Sequence, residues 1–343
     1  MLFGLWVMGN VLVTGGGGFL GRYIVARLLD RADRVTILGR TPHPDLHARG
    51  VTQIKADLAD REKVIEACRD RDVVYHVAAK AGVWGSWDSY YRPNVEGTRA
   101  VLEGCRRGGV GRLVYTSTPS VVFTGEPLVN VDESIPYGRD WLCHYAHTKA
   151  IAEGEVLGAD DPGGLRTVAL RPHLIWGIGD NHLIPRVVDR ARRGRLRIVG
   201  DGRNRVDIVH VANAADAHLL AERAIEGKAP AGGKAYYITQ GEPVVLWEWI
   251  NGFLRSLGIA PVEKRVSLRT AYTVGAMCEA VYTLLRRKEE PPMTRFVAIE
   301  LAKDHFFDIS AARRDLGYKS KVSTREGVDE LVAYWKRGSG AGD

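Results

Sequence analysis

The chain has 343 residues, 45% hydrophobic and 26% charged, which is enough for about two domains or one large α/β unit. The four cysteines form no C-x-x-C pair and no Cys/His cluster, which argues against a structural zinc site and a disulfide scaffold and is typical of the reducing cytoplasm. The net charge of +7 does not indicate nucleic-acid binding, because its basic cluster at residues 186–197 is not interleaved with aromatic residues.

No stretch approaches the roughly 18 consecutive apolar residues that a membrane-spanning helix needs. The first seven residues are apolar but carry no basic region and no cleavage site, so we do not interpret them as a signal peptide. Met8 is an alternative start, directly before the first strand.

Apolar runs typical of buried strands alternate with helical patterns through the first two-thirds of the chain. This alternation predicts an α/β fold, a Rossmann-type doubly wound parallel sheet, in residues 8–172 with returning segments near 205–240. The predicted strands are 11–14, 35–38, 51–55, 73–77, 113–117 and 168–170, and the predicted helices are 19–29, 60–68, 90–105 and 145–157.

A glycine-rich turn, TGGGGFLG, joins the first strand to the first helix. Gly15 permits the tight turn, Gly18 lets a pyrophosphate approach the backbone, and Gly21 lets the helix pack on the strand. The helix begins at Phe19, and Leu20 follows in its first turn. This helix end then presents free N–H groups and a positive dipole end to the phosphates. The strand–turn–helix context favours a dinucleotide site over an ordinary turn.

The second strand ends at Arg40, where NAD-preferring sites place an acidic residue. An arginine there can form a charge-assisted bond to a 2′-phosphate, so the sequence predicts NADP(H) rather than NAD. The alternative is a surface arginine at a strand end.

Two further segments that follow predicted strands are expected to contact the cofactor. The pair after the third strand is placed to meet the adenine edge, and the small residues after the fourth strand let the backbone approach the cofactor. These residues are Asp57, Leu58, Ala78, Ala79 and Lys80.

Tyr145 and Lys149 stand at positions i and i+4 of a predicted helix and so project from one face. A neighbouring ammonium, and the positive nicotinamide of the oxidised cofactor, favour the phenolate, so we expect them to lower the pKa of Tyr145 from its ordinary value near 10. Such a tyrosine can give a proton to a carbonyl oxygen near neutral pH, and the lysine can bind ribose hydroxyls. Elsewhere such a pair would be an ordinary exposed helix face.

The fifth strand ends in Tyr115-Thr-Ser-Thr118, and hydroxyls at the carboxyl end of a parallel strand face the ligand crevice. We predict that Thr118 bonds the substrate oxygen, with Ser117 beside it and Ser120 as second choice. The alternative is that these hydroxyls cap the turn before Pro119. Asn94 either orients the lysine through water or packs between helices.

Residues 173–337 are predicted to form mainly a substrate-binding lobe, and residues 338–343 a flexible Gly/Ser/Ala-rich tail. The lobe has a helix with Trp247 and Trp249 and a long apolar helix at residues 268–285, followed by three basic residues. That helix is part of the lobe's core, the wall of an acyl-chain pocket, or an interfacial helix that admits lipid substrate. The arginine cluster at 186–197 is either a solvated helix face or a landing site for anions.

The combined motifs resemble the extended short-chain dehydrogenase/reductase superfamily over nearly the whole chain. They include TGGGGFLG, ADLAD, HVAAKAG, NVEGT, YTSTPSV, YAHTK, LRPHLIWGIGD and the terminal DISAARRDLGY. Within it the chain resembles the 3β-hydroxysteroid dehydrogenase-like branch. The segments AAKAGVWGSWDSY, YTSTPSVV and EPPMTRF resemble the branch's NADP-dependent reductases of long-chain 2-alkyl-3-oxo acids in bacterial olefin biosynthesis.

The resemblance implies a catalytic triad of Thr118, Tyr145 and Lys149, with Pro172 and His173 beside the nicotinamide. Threonine replaces the serine of many relatives and keeps the hydroxyl. Trp176 stands where many relatives have tyrosine, a change in the pocket wall that concerns the fit of the substrate rather than the chemistry. No metal is implied.

The sequence therefore predicts NADPH-dependent reduction of a long-chain 2-alkyl-3-oxoalkanoate to the 3-hydroxy acid, with Arg171, His173 or the arginine cluster as partners of the carboxylate. Alternatives are an NAD(P)-dependent 3β-hydroxysterol dehydrogenase, with or without decarboxylation of a 4-carboxylate, and an NADP-sensing protein without chemistry. The resemblance also implies a homodimer and association with other olefin-biosynthesis enzymes. The cysteine usage indicates the cytoplasm, and an interfacial helix at residues 268–285 would make a peripheral membrane contact.

Overall fold

The computed structural model describes residues 9–226 and 230–339. The alternative start at Met8, the seven residues before it, and residues 340–343 of the predicted tail lie outside the described residues. The last helix extends to Ser339, so the chain is helical into the first part of the predicted tail.

The strands of the described residues are β1 (Asn10–Thr14), β2 (Arg34–Gly39), β3 (Thr52–Lys55), β4 (Val73–His76), β5 (Arg112–Thr116), β6 (Leu128–Val131), β7 (Arg166–Pro172), β8 (Ile175–Trp176), β9 (Ile198–Val199), β10 (Arg205–Val206), β11 (Val209–His210), β12 (Lys234–Ile238), β13 (Val244–Val245), β14 (Arg265–Val266) and β15 (His305–Phe307).

The α-helices are α1 (Phe19–Asp30), α2 (Pro44–His47), α3 (Arg61–Ala67), α4 (Trp87–Tyr91), α5 (Gly97–Gly108), α6 (His144–Leu157), α7 (Leu183–Arg192), α8 (Val211–Ala224), α9 (Leu246–Ser256), α10 (Leu268–Leu284), α11 (Arg295–Glu300), α12 (Ser310–Leu316) and α13 (Thr324–Ser339). A π-helical turn (Arg92–Glu96) and a 3₁₀ turn (Pro119–Val122) complete the helical segments of the described residues.

The described residues form a seven-stranded sheet in the order β12-β7-β5-β4-β1-β2-β3, with every neighbouring pair parallel. Alternate residues of each strand point to opposite faces. Val11 and Val13 join the core beneath α1 and α8, whereas Leu12 joins the core beneath α3 and α5. Both faces are covered, which confirms the predicted doubly wound parallel sheet.

Elements from both predicted parts of the chain share sheets. Strand β12, at residue 234, returns to the central sheet beside β7, with Lys234 opposite Val168. Strand β15, in the predicted substrate-binding lobe, pairs with β6, which belongs to the predicted Rossmann-type part. A separate core of the C-terminal region packs around Trp176, Trp247 and Phe253.

The helix predicted at residues 90–105 is not continuous. Helix α4 passes into the π-helical turn at Arg92, and α5 begins at Gly97. Pro93 lacks the N–H that a regular helix needs, and the Asn94 side chain bonds to the main chain of Lys80. The turn therefore aims Asn94 at the carboxyl end of β4, and π-helical turns frequently lie at functional sites.

Candidate active site

The glycine turn leaves no room for side chains at two positions. Gly15 has φ +70°, and a Cβ there would lie 2.9 Å from the main chain of Ala78. A Cβ at Gly21 would lie 2.2 Å from the carbonyl oxygen of Gly15. Helix α1 begins at Phe19 with no side chain capping its first turn, so its N–H groups are free for an anionic ligand. The turn therefore fits a dinucleotide pyrophosphate.

Two residues at the mouth of this turn were missed by the sequence analysis. The imidazole of His43 lies against Gly17, where a Cβ would be 1.8 Å from its Nε2. Arg22 donates to the Gly17 carbonyl at 3.0 Å and contacts His43 Nδ1 at 3.2 Å. Arg22 follows Gly21, the last glycine of the turn, and this position in the sequence could have indicated a cation beside the turn.

Arg40 lies where the sequence analysis expected it, one residue beyond β2, with 79% of its side chain exposed. Its NH1 atom is 3.5 Å from a carboxylate oxygen of Asp57. The other oxygen of Asp57 accepts the N–H of Ala59 at 2.9 Å. Leu58 is buried and packs against Gly97. The predicted 2′-phosphate and adenine contacts of these residues stay predictions.

Asn94 clamps the segment after β4 to helix α6. Its Oδ1 accepts the N–H of Lys80 at 2.8 Å, and its Nδ2 donates to the Lys80 carbonyl and to Thr148 Oγ1, each at 3.1 Å. These contacts tie Asn94 to helix packing. The Lys80 ammonium donates to Ser89 Oγ at 2.7 Å and lies 4.5 Å from the centre of the Tyr90 ring.

A buried histidine that the sequence analysis did not single out connects β1, β4 and α5. His76 Nδ1 is 2.7 Å from Thr14 Oγ1, and its Nε2 is 3.0 Å from Thr98 Oγ1. Thr98 in turn donates to the carbonyl of Asn94 at 2.6 Å. Burial, with a further contribution from the charge of Lys149, lowers the pKa of His76 to about 3. His76 is thus neutral at physiological pH and fixes the carboxyl ends of β1 and β4.

Tyr145 lies in the first turn of α6 and is largely buried, with part of its surface accessible. Burial raises its pKa to about 12, and a hydrogen bond with Thr118 acts in the opposite direction. The structure thus brings Tyr145 and Thr118 together, and the predicted catalytic roles of both residues stay predictions. The expected lowering of the tyrosine pKa is wrong for this structure, because burial outweighs the stabilising contacts.

Lys149 is fully buried one turn further along α6. Its Nζ donates to the carbonyl of Thr116 at 2.6 Å and lies 3.9 Å from the centre of the Tyr115 ring. Burial lowers its pKa to about 7, against the opposing charge of Glu153. The ammonium is therefore held at the end of β5 in this structure, and a carbonyl and an aromatic face compensate only in part for lost hydration.

The hydroxyls after β5 take different positions. Thr118 Oγ1 accepts the N–H of Ser120 at 3.3 Å and lies 3.2 Å from Ser120 Oγ, so it also caps the 3₁₀ turn, as the alternative interpretation expected. Because a hydroxyl hydrogen rotates, Thr118 can donate to Ser120 or to Tyr145. The Ser117 hydroxyl is buried without a hydrogen-bond partner among the described residues, and its N–H donates to the Leu170 carbonyl at 2.6 Å.

Two predicted partners of a substrate carboxylate are not available as cations. Arg171 is buried in an ion pair with Glu153 at 2.6 Å, with 4% and 0% of the two side chains exposed. His173, next to Pro172 at the end of β7, is buried, and burial lowers its pKa well below the ordinary value. In the arginine cluster, Arg186 pairs with Glu290 at 2.6 Å.

A cluster of apolar side chains, called here the apolar wall, packs against Tyr145. Phe123 and Phe296 pack with ring centres 4.7 Å apart, and Tyr145 packs against the same cluster. The cluster's other buried members are Cys143, Ala146 and Ile299. Beside it, a cavity of about 690 Å³ opens between α10 and the 83–85 and 141–144 segments.

The parallel sheet, the glycine turn, and the Thr118, Tyr145 and Lys149 side chains at its carboxyl end define an oxidoreductase of the short-chain dehydrogenase/reductase type, which uses a nicotinamide cofactor. The chain belongs to the 3-beta hydroxysteroid dehydrogenase/isomerase family, whose sequence profile matches residues 12–269.

Among known proteins, the chain is 49% identical over 326 residues to a 2-alkyl-3-oxoalkanoate reductase of Stenotrophomonas maltophilia, covering 94% of this chain and 98% of that protein. It is 47% identical over 331 residues to a 2-alkyl-3-oxoalkanoate reductase of Shewanella oneidensis, covering 94% and 86% of the two chains. Among solved structures, MoeE5 in complex with UDP-glucose and NAD superposes with a TM-score of 0.74 at 25% identity, covering 96% of this chain and 100% of that one.

No helix in residues 9–226 and 230–339 combines the length and the apolar character that crossing a membrane requires.

Proposed function

We propose that this protein reduces the 3-keto group of long-chain 2-alkyl-3-oxoalkanoates with NADPH. The observation that carries the proposal is the pairing of Tyr145 with Thr118 beside an apolar wall at the carboxyl end of the sheet. A hydroxyl pair is what a ketone oxygen needs, and an apolar wall is what alkyl chains need. The two relatives named above, at 49% and 47% identity, support the substrate class.

The described residues fit a dinucleotide at the glycine turn. The uncapped first turn of α1 would hold the pyrophosphate, and Lys149 would hold the nicotinamide ribose hydroxyls. Arg40, exposed and bridged only loosely to Asp57, supports NADP(H) over NAD, because its guanidinium can turn to a 2′-phosphate. When bound, the reduced nicotinamide supplies a hydride to the ketone carbon.

Tyr145 gives its phenolic proton to the ketone oxygen as that oxygen gains negative charge. A pKa of about 12 keeps this phenol protonated at neutral pH, which is the state that a proton donor requires. Thr118 holds the same oxygen from the other side and then donates to the phenolate that remains. The phenolate in turn favours the charged form of Lys149, which restores an ammonium that burial alone disfavours.

The apolar wall gives the alkyl chains their binding energy. Phe123, Phe296 and Ile299 are buried in one cluster with Tyr145, and the cavity beside this cluster has the apolar side chains of Val83, Leu142 and Ala280 in its lining. Each methylene buried against such a surface contributes about 0.8 kcal/mol. A substrate with two long chains therefore gains much more from this wall than a short-chain analogue does.

Helix α10 carries a second apolar surface, on its solvent side. Val274, Met277, Val281 and Leu284 are between 44% and 82% exposed and lie along one face. The basic segment 286–288 follows the helix directly. We propose that this face makes peripheral contact with an anionic membrane, from which a lipid-like substrate reaches the cavity beneath α10.

A homodimer through the helices that flank the sheet, and association with other olefin-biosynthesis enzymes, stay predictions. Sedimentation of the purified chain, alone and mixed with candidate partner enzymes, tests both.

The direct test is oxidation of a synthetic long-chain 2-alkyl-3-hydroxyalkanoate with NADP⁺, followed by the absorbance of NADPH, with 3β-hydroxysterols as the competing substrate class. This direction avoids the spontaneous decarboxylation of 3-oxo acids. We expect turnover of the hydroxy acid by the wild type and almost none by Tyr145→Phe. Turnover of sterols alone would assign the chain to the sterol branch, and full activity of Tyr145→Phe would refute the mechanism.

A further inference from the structure

Gly85 borders the cavity of about 690 Å³ beneath α10, at the end of the segment that follows β4. Its φ of +148° is a conformation that side chains rarely adopt. A Cβ there would lie 3.0 Å from Ser89 Oγ, 3.1 Å from Lys80 Nζ and 3.1 Å from a ring carbon of Tyr90. Because Gly85 has no side chain, these three groups are open to the space that it borders.

The Lys80 ammonium has no anionic partner among the residues that the structure describes. It donates to Ser89 Oγ at 2.7 Å, and the Ser89 hydroxyl in turn donates to the Ser86 carbonyl at 2.6 Å. Its other contact is the face of Tyr90, whose ring centre is 4.5 Å away. Burial lowers the pKa of Lys80, and neither contact supplies the full negative charge that would oppose this shift. An ammonium has three N–H groups, so it can still bond a ligand.

Two acidic side chains border this region, and each is already paired with an arginine. Glu279 lines the cavity and accepts from Arg295 Nε at 2.6 Å. Glu290, which with burial raises the pKa of Tyr90, pairs with Arg186 at 2.6 Å. Lys80 is therefore the cation beside this cavity that can take up a carboxylate without breaking an ion pair of the described residues.

Tyr90 connects this ammonium with the proposed proton donor. The ring centres of Tyr90 and Tyr145 are 6.5 Å apart, and Cys143 and His144, directly before Tyr145, line the same cavity as Gly85. In a 3-oxo acid the carboxylate carbon is only two bonds from the ketone carbon. A cation for that carboxylate must therefore lie close to Tyr145, and only the Tyr90 ring separates Lys80 from it.

Resting on the proposed function, we propose that Lys80 binds the carboxylate of the 2-alkyl-3-oxo acid, with Ser89 holding the ammonium and Gly85 leaving room for the carboxylate oxygens. The sequence analysis expected Lys80 to contact the cofactor, and this proposal assigns it to the substrate instead. The ion pair would select acids over neutral sterols and esters, because a neutral ligand would displace water from the ammonium without supplying a charge.

The test compares a long-chain 2-alkyl-3-hydroxy acid with its methyl ester, which has the same alkyl chains and no charge. Both are oxidised with NADP⁺, and kcat/KM is measured from the absorbance of NADPH. A hydrogen bond to a charged group corresponds to about 10- to 100-fold in binding. We expect the wild type to prefer the acid by this factor, mainly through KM, and Lys80→Met to oxidise the two compounds about equally.

The matched control is Lys303→Met. Lys303 is also partly buried, and it lines a second cavity that borders Phe123 and Ile299 of the apolar wall. Its ammonium, however, donates to the Gly125 carbonyl at 2.6 Å and to the Glu126 carboxylate at 3.0 Å. This variant should keep the wild-type preference for the acid. A preference that Lys303→Met loses and Lys80→Met keeps would overturn the inference.

Titration with NADP⁺ separates a substrate contact from a cofactor contact. The Kd for NADP⁺ should stay within threefold of the wild-type value in Lys80→Met. A weaker Kd together with an intact preference for the acid would return Lys80 to the cofactor. If the wild type oxidises acid and ester equally, the inference fails while the proposed function stands. If it oxidises neither, the proposed function itself fails.

A second measurement needs no variant and no turnover. Titration calorimetry of the wild type with NADP⁺ bound compares 2-hexyldecanoic acid, which has two alkyl chains and a carboxylate but no 3-oxygen, with its primary amide. We expect the acid to bind at least tenfold more tightly than the amide. Equal affinities would overturn the assignment of Lys80 to the carboxylate.

Discussion

Replacing Lys149 by methionine should stabilise the fold while removing activity. Burial shifts the pKa of this lysine from 10.5 to about 7, and each unit corresponds to about 1.36 kcal/mol. The cost of keeping the buried ammonium charged is thus about 5 kcal/mol. Methionine has a similar length and no charge, but it leaves the Thr116 carbonyl without its donor, which costs about 1–3 kcal/mol. At pH 6 we expect a net gain of about 2–4 kcal/mol in the free energy of unfolding.

The gain should depend on pH in a defined direction. Below about pH 7 the lysine is protonated in both states, so the folded wild type bears the full cost. Between about pH 7 and 10.5 the unfolded lysine keeps a proton that the folded one has lost, so wild-type stability rises with pH. The advantage of Lys149→Met should therefore shrink through this range.

Urea unfolding of the cofactor-free protein between pH 6 and pH 10, followed by tryptophan fluorescence, measures the effect. Urea avoids the ionic screening that guanidinium introduces. Lys319→Met, at an exposed position, is the matched control and should show no comparable pH-dependent gain. A Lys149→Met protein that is less stable than wild type at pH 6, or whose advantage does not change with pH, would refute the reasoning.

Three further variants test separate parts of the protein. Tyr145→Phe should lower kcat by about 10²–10⁴-fold and leave the Kd for NADP⁺ within threefold in calorimetry, because only the proton donor is lost; a weak effect on kcat would contradict its role. Arg40→Ala should weaken NADP⁺ binding by at least tenfold and leave NAD⁺ binding unchanged, whereas an equal loss for both would remove Arg40 from 2′-phosphate recognition. The double substitution Met277→Ser and Val281→Ser, at two exposed positions that do not line the cavity beneath α10, should reduce co-sedimentation with anionic phospholipid vesicles without changing turnover of a detergent-dispersed substrate, and unchanged sedimentation would exclude α10 as the contact surface.

The local pattern of apolar and glycine residues was sufficient to predict the strands of the central sheet and the position of the glycine turn. Each central strand before β12 was predicted within about two residues of its ends, because buried parallel strands are continuous apolar runs. Tyr145 and Lys149 were predicted to share a helix, and they do. The pKa of Tyr145 was not predictable, since it depends on how deeply packing buries the ring.

Contacts between residues distant in sequence could not be predicted either, because they too depend on how the elements pack. Arg171 and Glu153 lie on different elements, and only the docking of α6 on β7 makes their ion pair. The imidazoles of His173 and His305 lie 2.6 Å apart, although the two residues are 132 positions apart in the sequence. The π-helical turn arises because Asn94 bonds the Lys80 main chain, which local periodicity does not show.

The position of β12 has a practical consequence for dissecting this protein. Five residues of β12 pair with β7, from Lys234 opposite Val168 to Ile238 opposite Pro172. A fragment truncated after residue 172 would leave that row of amides and carbonyls open, and uncapped edges recruit other chains into aggregates. Recombinant production of the nucleotide-binding half alone should therefore graft residues 230–240 back on, for instance through a short glycine–serine tether.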